Sequence, residues 1–412
     1  MENTTTFDTS LSLTEKIALR VLEKMTLGSL VLELPNGMQL HYGNQQSNIS
    51  ADLRIINPAF FKKVLLYGDI GFGEAYVDGD FETNSITNLI SWVILNIDNT
   101  PGMSGSKAKT MGINLLKFLN RFGHIGRANT KSGSAKNIAF HYDLSNDFYS
   151  LWLDKTMTYS AAYFKDEKAS LEEAQYAKYD ELCQSLNLQE GDHVLEIGCG
   201  WGGMAVYMAK NYKVKVTGIT ISKEQFKYAN QRIESESLQN EIEIKLLDYR
   251  KITGQYDKIV SIEMIEAVGA AYYKSFFAKI NQLLKKEGIL ALQVITSPDS
   301  RFIELKNSVD WIQKHIFPGG IIPSVGILNA SINKASDLTM VGLKEMGLHY
   351  AKTLKIWRKD FNMKREELNE LGFDNYFMRK WNFYLSYCEA AFKMRNINVV
   401  QMVYSRPNNL RL

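Results

Sequence analysis

From about residue 190 onward, short apolar runs alternate with stretches whose apolar residues recur at helical spacing. His193 to Ile197, Val214 to Ile219, Ile242 to Leu247, Lys258 to Ile262 and Ile289 to Ile295 each read as a strand. Lys223 to Ser235 and Tyr272 to Lys285 read as helices between them. This alternation predicts an α/β fold, a doubly wound and mostly parallel sheet with helices on both faces. Ligands of such sheets lie beyond the carboxyl ends of the strands.

The N-terminal part has a mixed pattern. Leu30 to Leu34 reads as a strand ending at the turn Pro35-Asn36-Gly37, and Ala59 to Tyr67 as a helix stopped by Gly68. Asp78-Gly79-Asp80 marks another turn. Composition then shifts. No acidic residue occurs between Asp98 and Asp143, a stretch holding Lys107, Lys109, Lys117, Arg121, Arg127, Lys131 and Lys136 among Gly and Ser. We expect a smaller mixed α/β accessory domain over 1–100, a basic linker over 101–136 and a larger domain over 137–412. Within the linker, Ile113 to Phe122 reads as a short amphipathic helix.

Composition narrows the class. The chain has 412 residues, 45% apolar and 23% charged, with net charge +3. That balance does not call for nucleic acid, and no zinc-finger spacing occurs. Cys183, Cys199 and Cys388 are too sparse for a disulfide framework and fit a reducing, cytoplasmic compartment. The polar start, Met1 to Ser10, does not look like a signal peptide. Ile86 to Ile97 is too short and polar to span a bilayer, so a soluble or peripheral protein is expected. His124, His193 and His315 show no metal-ligand spacing.

One loop carries the first chemical signal. Val194-Leu195-Glu196-Ile197-Gly198-Cys199-Gly200-Trp201-Gly202-Gly203 joins a strand to a helix, and its glycines allow a tight turn and close backbone approach to a ligand. The spacing differs from the dinucleotide fingerprint. It resembles the first motif of class I S-adenosylmethionine methyltransferases. That resemblance implies Glu196, Gly198 and Gly200 beside the cofactor's amino-acid part and Asp248-Tyr249 at its adenine.

Further segments resemble cyclopropane fatty acid synthases and mycolic acid cyclopropane synthases. They are His141-Tyr142-Asp143-Leu144-Ser145-Asn146-Asp147-Phe148-Tyr149, Met157-Thr158-Tyr159-Ser160-Ala161-Ala162-Tyr163-Phe164, Thr220-Ile221-Ser222-Lys223-Glu224-Gln225 and Ser261-Ile262-Glu263-Met264-Ile265-Glu266-Ala267-Val268-Gly269. Ile316-Phe317-Pro318-Gly319-Gly320, His349-Tyr350-Ala351-Lys352-Thr353-Leu354 and the run from Asn57 to Gly79 match too. The likeness implies S-adenosyl-L-methionine held also by Tyr159, Ser160, Thr220 and Gln225. The activity it implies is methylene transfer to the cis double bond of an unsaturated phospholipid acyl chain. It further implies a lipid-binding role for the N-terminal part, a peripheral position at the membrane and a homodimer.

In that family the base is thought to be a bicarbonate held by a Glu, a His, a Tyr and two backbone N–H groups. Carried over, these are Glu266, Tyr350 and the backbone of Ala161 and Ile295. The His is replaced by Gln293, which can donate a hydrogen bond but cannot titrate. Gln293 either holds the anion or is simply satisfied by a neighbour; for Glu266, with Glu263 nearby, a structural network is the alternative to a catalytic role. A changed base leaves methyl- or methylene-branched products open beside the ring. The aromatic faces of Tyr163 and Phe164 are candidates to stabilise a cation, with core packing as the alternative. The basic linker either attracts an anionic membrane surface or is a solvated connection.

Overall fold

The structure of the protein is a computed structural model that describes residues 11–99 and 144–410. The predicted basic linker and amphipathic segment lie outside those residues. A capped helix α1 (Leu13–Glu23) opens the chain, with Ser12 and Glu15 forming a capping box. Strands β1 (Ser29–Glu33), β2 (Gln39–Gly43), β3 (Ser50–Ile55) and the short β4 (Phe81–Glu82) form a sheet in the order β2-β1-β3-β4. The turn at Gly37, with φ 84°, joins β1 to β2 as the Pro-Asn-Gly signal requires.

Helix α2 (Ala59–Asp78) departs from the expected stop. Gly68 leaves helical geometry at φ 59°, ψ −129°, yet the helix resumes and runs to Gly79. Gly68 therefore bends the element instead of ending it. The continuation packs very closely: a Cβ on Gly73 would lie 2.4 Å from the Trp311 ring. Helix α3 (Ile86–Leu95) follows, apolar enough to be buried on most of its surface.

The larger sheet has seven strands in the order β10-β11-β9-β8-β5-β6-β7. They are β5 (His193–Ile197), β6 (Lys215–Thr220), β7 (Ile242–Leu246), β8 (Tyr256–Ile262), β9 (Leu284–Thr296), β10 (Thr339–Glu345) and β11 (Asn398–Ser405). Strands β5 to β9 are mutually parallel, and β11 runs antiparallel to both β9 and β10. Central strands such as β5 are covered on both faces, which is why they read as continuous apolar runs.

Helices α4 (Asn146–Ser150), α5 (Leu171–Ser185), α6 (Gly203–Tyr212), α7 (Lys223–Ser235) and α8 (Tyr273–Leu283) precede or separate the parallel strands. After β9 come α9 (Phe302–Asn307), α10 (Trp311–His315) and α11 (Val325–Asn333). Helices α12 (Gly347–Met363), α13 (Arg365–Glu370) and α14 (Asn375–Lys393) lie between β10 and β11.

One apolar cluster runs through both parts of the molecule. It joins Leu30, Phe61 and Trp92 to Phe148, Trp311, Trp357 and Phe383. Helix α14 is the bridge. Its Glu389 accepts a hydrogen bond from Thr87 of α3 at 3.0 Å and pairs with Arg358 of α12 at 2.9 Å. Its Arg379 donates to the Tyr76 carbonyl of α2. The small sheet and its helices thereby close over the side of the large sheet where the site lies.

Candidate active site

The turn after β5 shapes the first half of the site. Gly198, Gly200 and Gly202 all have positive φ. A side chain on Gly198 would begin 2.9 Å from Met264, whereas one on Gly200 would meet nothing within 4 Å. The loop is packed on one side and open on the other, and the open side borders a cavity of about 420 Å³.

Tyr159, Ser160, Glu196, Gly198, Gly200, Thr220, Gln225, Asp248 and Tyr249, the expected cofactor residues, all line this cavity. Glu196 is buried at the end of β5 and its Oε2 has no hydrogen-bond partner among the described residues. Burial pushes its carboxyl up to about 8, with Lys178 opposing. Thr220 donates to Gln225 at 2.8 Å, which fixes the turn after β6. Burial would raise the Asp248 carboxyl, but Arg250 grips both its oxygens and holds it below the usual range. The Tyr159 hydroxyl pairs with that of Tyr384 at 2.7 Å.

These residues fit S-adenosylmethionine. An orphaned buried carboxylate oxygen suits the cationic amino-acid end of such a ligand, and a partnerless carboxylate there is otherwise costly. Behind Ser160 stands a residue that sequence reasoning missed. Lys178 is fully buried and donates to Ser160 Oγ at 2.8 Å. Its ammonium is pushed down to about 8 by burial, with Glu263, Asp154 and Glu196 opposing. A signal existed in α5, where Gln175 and Lys178 sit on the same buried face as Leu171, Ala174 and Leu182.

The second half of the site gathers at the ends of β8 and β9. Glu266, Tyr350 and Ile295 line the cavity, while Gln293 and Ala161 are completely buried behind it. The five are brought together, but three of them, Ala161, Gln293 and Tyr350, converge on Glu263, which the sequence offered only as a partner in a structural network. Glu263 Oε1 accepts the Ala161 N–H at 2.9 Å and the Gln293 amide at 2.8 Å. The Tyr350 hydroxyl hydrogen-bonds the same carboxylate. Gln293 is locked from behind by Gln401, which donates to its carbonyl oxygen at 2.9 Å. Glu266 accepts the Ile295 N–H at 2.5 Å, and its Oε2 has no partner among the described residues. Burial and then the nearby Glu263 push Glu266 up to about 8. Glu263 is also raised by burial, against Gln293, Ala161, Lys178 and Tyr350.

The sequence of the larger part matches a known group. Residues 129–402 match the family described as mycolic acid cyclopropane synthetase. The chain belongs to this family. The cyclopropane-fatty-acyl-phospholipid synthase of Escherichia coli K12 is 38% identical over 88% of this chain and 90% of its own. The tuberculostearic acid methyltransferase UfaA1 of Mycobacterium tuberculosis is 36% identical over 84% and 81%. Among solved structures, the M. tuberculosis cyclopropane synthase MmaA2 superposes with TM-score 0.62 at 30% identity, covering 66% of this chain and 98% of that one. The mycolic acid cyclopropane synthase CmaA1, solved with SAH and CTAB, gives 0.61 at 31%, covering 66% and 98%. The fold is that of class I S-adenosylmethionine methyltransferases.

Beyond the carboxylates the lining of the cavity is mostly apolar, with Asp69, Arg301, Asp310 and Gln313 also on it. Ile90, Val93 and Ile94 of α3 and Phe72 of α2 form one wall; Leu305, Phe317 and Ile321 help form another. The N-terminal elements thus contribute directly to the chamber next to the reacting groups. Two sequence candidates fall outside it. The Tyr163 and Phe164 rings do not line the cavity but lie against the ammonium groups of Lys344 and Lys352, at 4.5 and 4.0 Å. Aromatic surface in the cavity comes from other residues, among them Phe72, Phe317, Tyr350, Tyr384 and Phe392. No described helix is long and apolar enough to cross a membrane.

Proposed function

We propose that the protein transfers a methylene group from S-adenosylmethionine to the cis double bond of an unsaturated phospholipid acyl chain, forming a cyclopropane. The observation that carries this reading is one continuous cavity. It runs from the glycine loop, past Glu263, Glu266 and Tyr350, into a chamber walled by Ile90, Val93, Ile94 and Phe317. A chain of methylenes has no hydrogen bonds to lose on entering such a chamber, and its burial is favourable in proportion to area.

The cofactor, when bound, supplies an electrophilic methyl group. The chain's own residues do the rest. An isolated alkene is a weak nucleophile, so the apolar walls must hold its double bond against the methyl; positioning of this kind supplies several kcal/mol of the barrier. The rings of Tyr350 and Phe392, packed on each other with centroids 4.5 Å apart, border the same cavity. The carboxylates then remove a proton from the new methyl group.

A bicarbonate base, expected from the resemblance, does not fit this arrangement. The N–H of Ala161 and the amide of Gln293 are spent on Glu263, and the N–H of Ile295 on Glu266. A further anion beside the Glu263 carboxylate would meet like charge, and the donors expected to hold it are already spent.

The substrate places the protein at a membrane surface, as a cytoplasmic peripheral enzyme drawn to anionic headgroups, and pairing as a homodimer follows from the same family reading. Incubation with S-adenosylmethionine and vesicles of cis-unsaturated anionic phospholipid tests the activity. Upfield cyclopropane protons in the extracted lipid are expected. Methyl- or methylene-branched chains without a ring would move the protein to the reading that its likeness to a tuberculostearic acid methyltransferase favours.

A further inference from the structure

Ring closure needs a group that takes a proton in a dry pocket, and the donor set there already serves one carboxylate. We infer that Glu263 is the base, a built-in carboxylate standing where a bound anion would otherwise sit, so that the reaction needs no bicarbonate. The inference rests on the proposed function for its reaction and on the following geometry for its residue.

Glu263 borders the cavity and is held by three donors on separate elements: the Ala161 N–H, the Gln293 amide on β9 and the Tyr350 hydroxyl on α12. Its backbone is unusual. Glu263 follows β8 at φ 48°, a left-handed conformation that a residue with a long side chain rarely adopts, and its N–H is tied to the Gln293 carbonyl at 2.7 Å. Such strain persists only where the surroundings impose it, and here it aims the carboxylate at its donors. Gln293 now has a reason to be an amide. It donates to a permanent side-chain carboxylate and need not titrate, and Gln401 fixes which end of it faces Glu263.

Charge divides the two acids. Glu263 collects three donors from other residues with Lys178 nearby, whereas Glu266 has one and, among the described residues, an orphaned oxygen. Paired carboxylates in unequal surroundings take unequal roles: Glu263 carries the charge and Glu266 holds the proton. In the step itself, a C–H bond of the methyl group newly joined to the cationic acyl chain breaks. The proton goes to a Glu263 oxygen, and the electron pair of that bond becomes the ring-closing C–C bond. The cation and the carboxylate are both neutralised.

The test uses the 412-residue chain with S-adenosylmethionine and cis-unsaturated phospholipid vesicles, in buffer purged of carbon dioxide and then with added bicarbonate. Wild-type ring formation should change less than twofold between the two. Glu263→Gln should bind the cofactor within about threefold of wild type by calorimetry but lose ring formation by about 100-fold or more, as expected for removing a general base. Glu263→Gly suits the positive φ, so it should fold. It frees the donors, and its residual activity should rise about 100-fold or more with bicarbonate, the range expected for a general base. Wild-type activity that collapses without bicarbonate and returns with it would overturn the inference while leaving the proposed function standing. Full ring yield from Glu263→Gln would do the same. No ring from wild type under either condition would overturn the proposed function and this inference with it.

Discussion

At the scale of single residues, the site is governed by buried charge. Glu196 illustrates how pH and ligand are linked. In the folded protein its carboxyl sits at about 8, so at pH 6 it is protonated and cannot pair with a cationic ligand. Binding must then release a proton, which costs up to about tenfold in affinity per pH unit below that value. Affinity for S-adenosylmethionine should therefore rise as pH climbs from 6 to 8 and level off above. Glu196→Gln should flatten the slope and weaken binding about tenfold to a hundredfold at pH 8.5, the value of a hydrogen bond to a charged group. Calorimetric titration of both proteins across that range checks it; parallel pH profiles would remove Glu196 from the cofactor site.

Much of this site was legible in the residues. The glycine loop announced itself by its place between a strand and a helix, and Glu266 and Tyr350 by their motifs. Lys178 and Glu263 were not assigned roles, for a physical reason. A lysine inside a helix reads as solvated until the neighbouring elements bury it. Glu263 and Glu266, three positions apart after an apolar strand, look alike in sequence. Only the left-handed turn at Glu263 decides which of them meets Ala161 and Gln293.

At the scale of elements, the buried parallel strands were the easiest to read, whereas the buried antiparallel β11 was missed. β5 and α7 have the predicted limits, because continuous apolar runs and an N-capping Ser222 mark them. β10 was missed because its residues alternate between exposed and half-buried, the mark of a strand on the edge of the sheet. The expected stop at Gly68 failed for the opposite reason: tertiary packing carries α2 past its own weak point. Glycines there serve close approach more than flexibility. A methyl on Gly73 would press on Trp311 at 2.4 Å and on Phe383 at 2.7 Å, both large core rings with little room to yield. Gly73→Ala should lower stability by about 1–3 kcal/mol through overpacking. It should also impair activity, since Phe72 beside it lines the cavity. Urea denaturation gives the first quantity; an unchanged midpoint would mean that Trp311 relocates freely.

At the scale of the whole molecule, the small and large sheets share one aromatic core and one polar tie. The composition shift near residue 100 suggested separate units, yet Glu389 of α14 is almost wholly buried between Thr87 and Arg358. Removing one partner of such a network leaves another stranded in low dielectric, and Glu389→Ala should cost about 2–4 kcal/mol, with Arg358 still partly solvated. Two outcomes separate two architectures. If the shared core dominates, scanning calorimetry of wild type shows one cooperative transition and Glu389→Ala lowers it as a whole. If the parts are held mainly by their own cores, the variant splits the transition in two, the smaller part melting first. The first is expected, because Trp92 of α3 packs in the same cluster as Trp357 and Phe383, so the small sheet cannot unfold without exposing them. A cavity whose apolar wall comes from α2 and α3 and whose chemistry comes from β5, β8 and β9 then exists only in the intact chain.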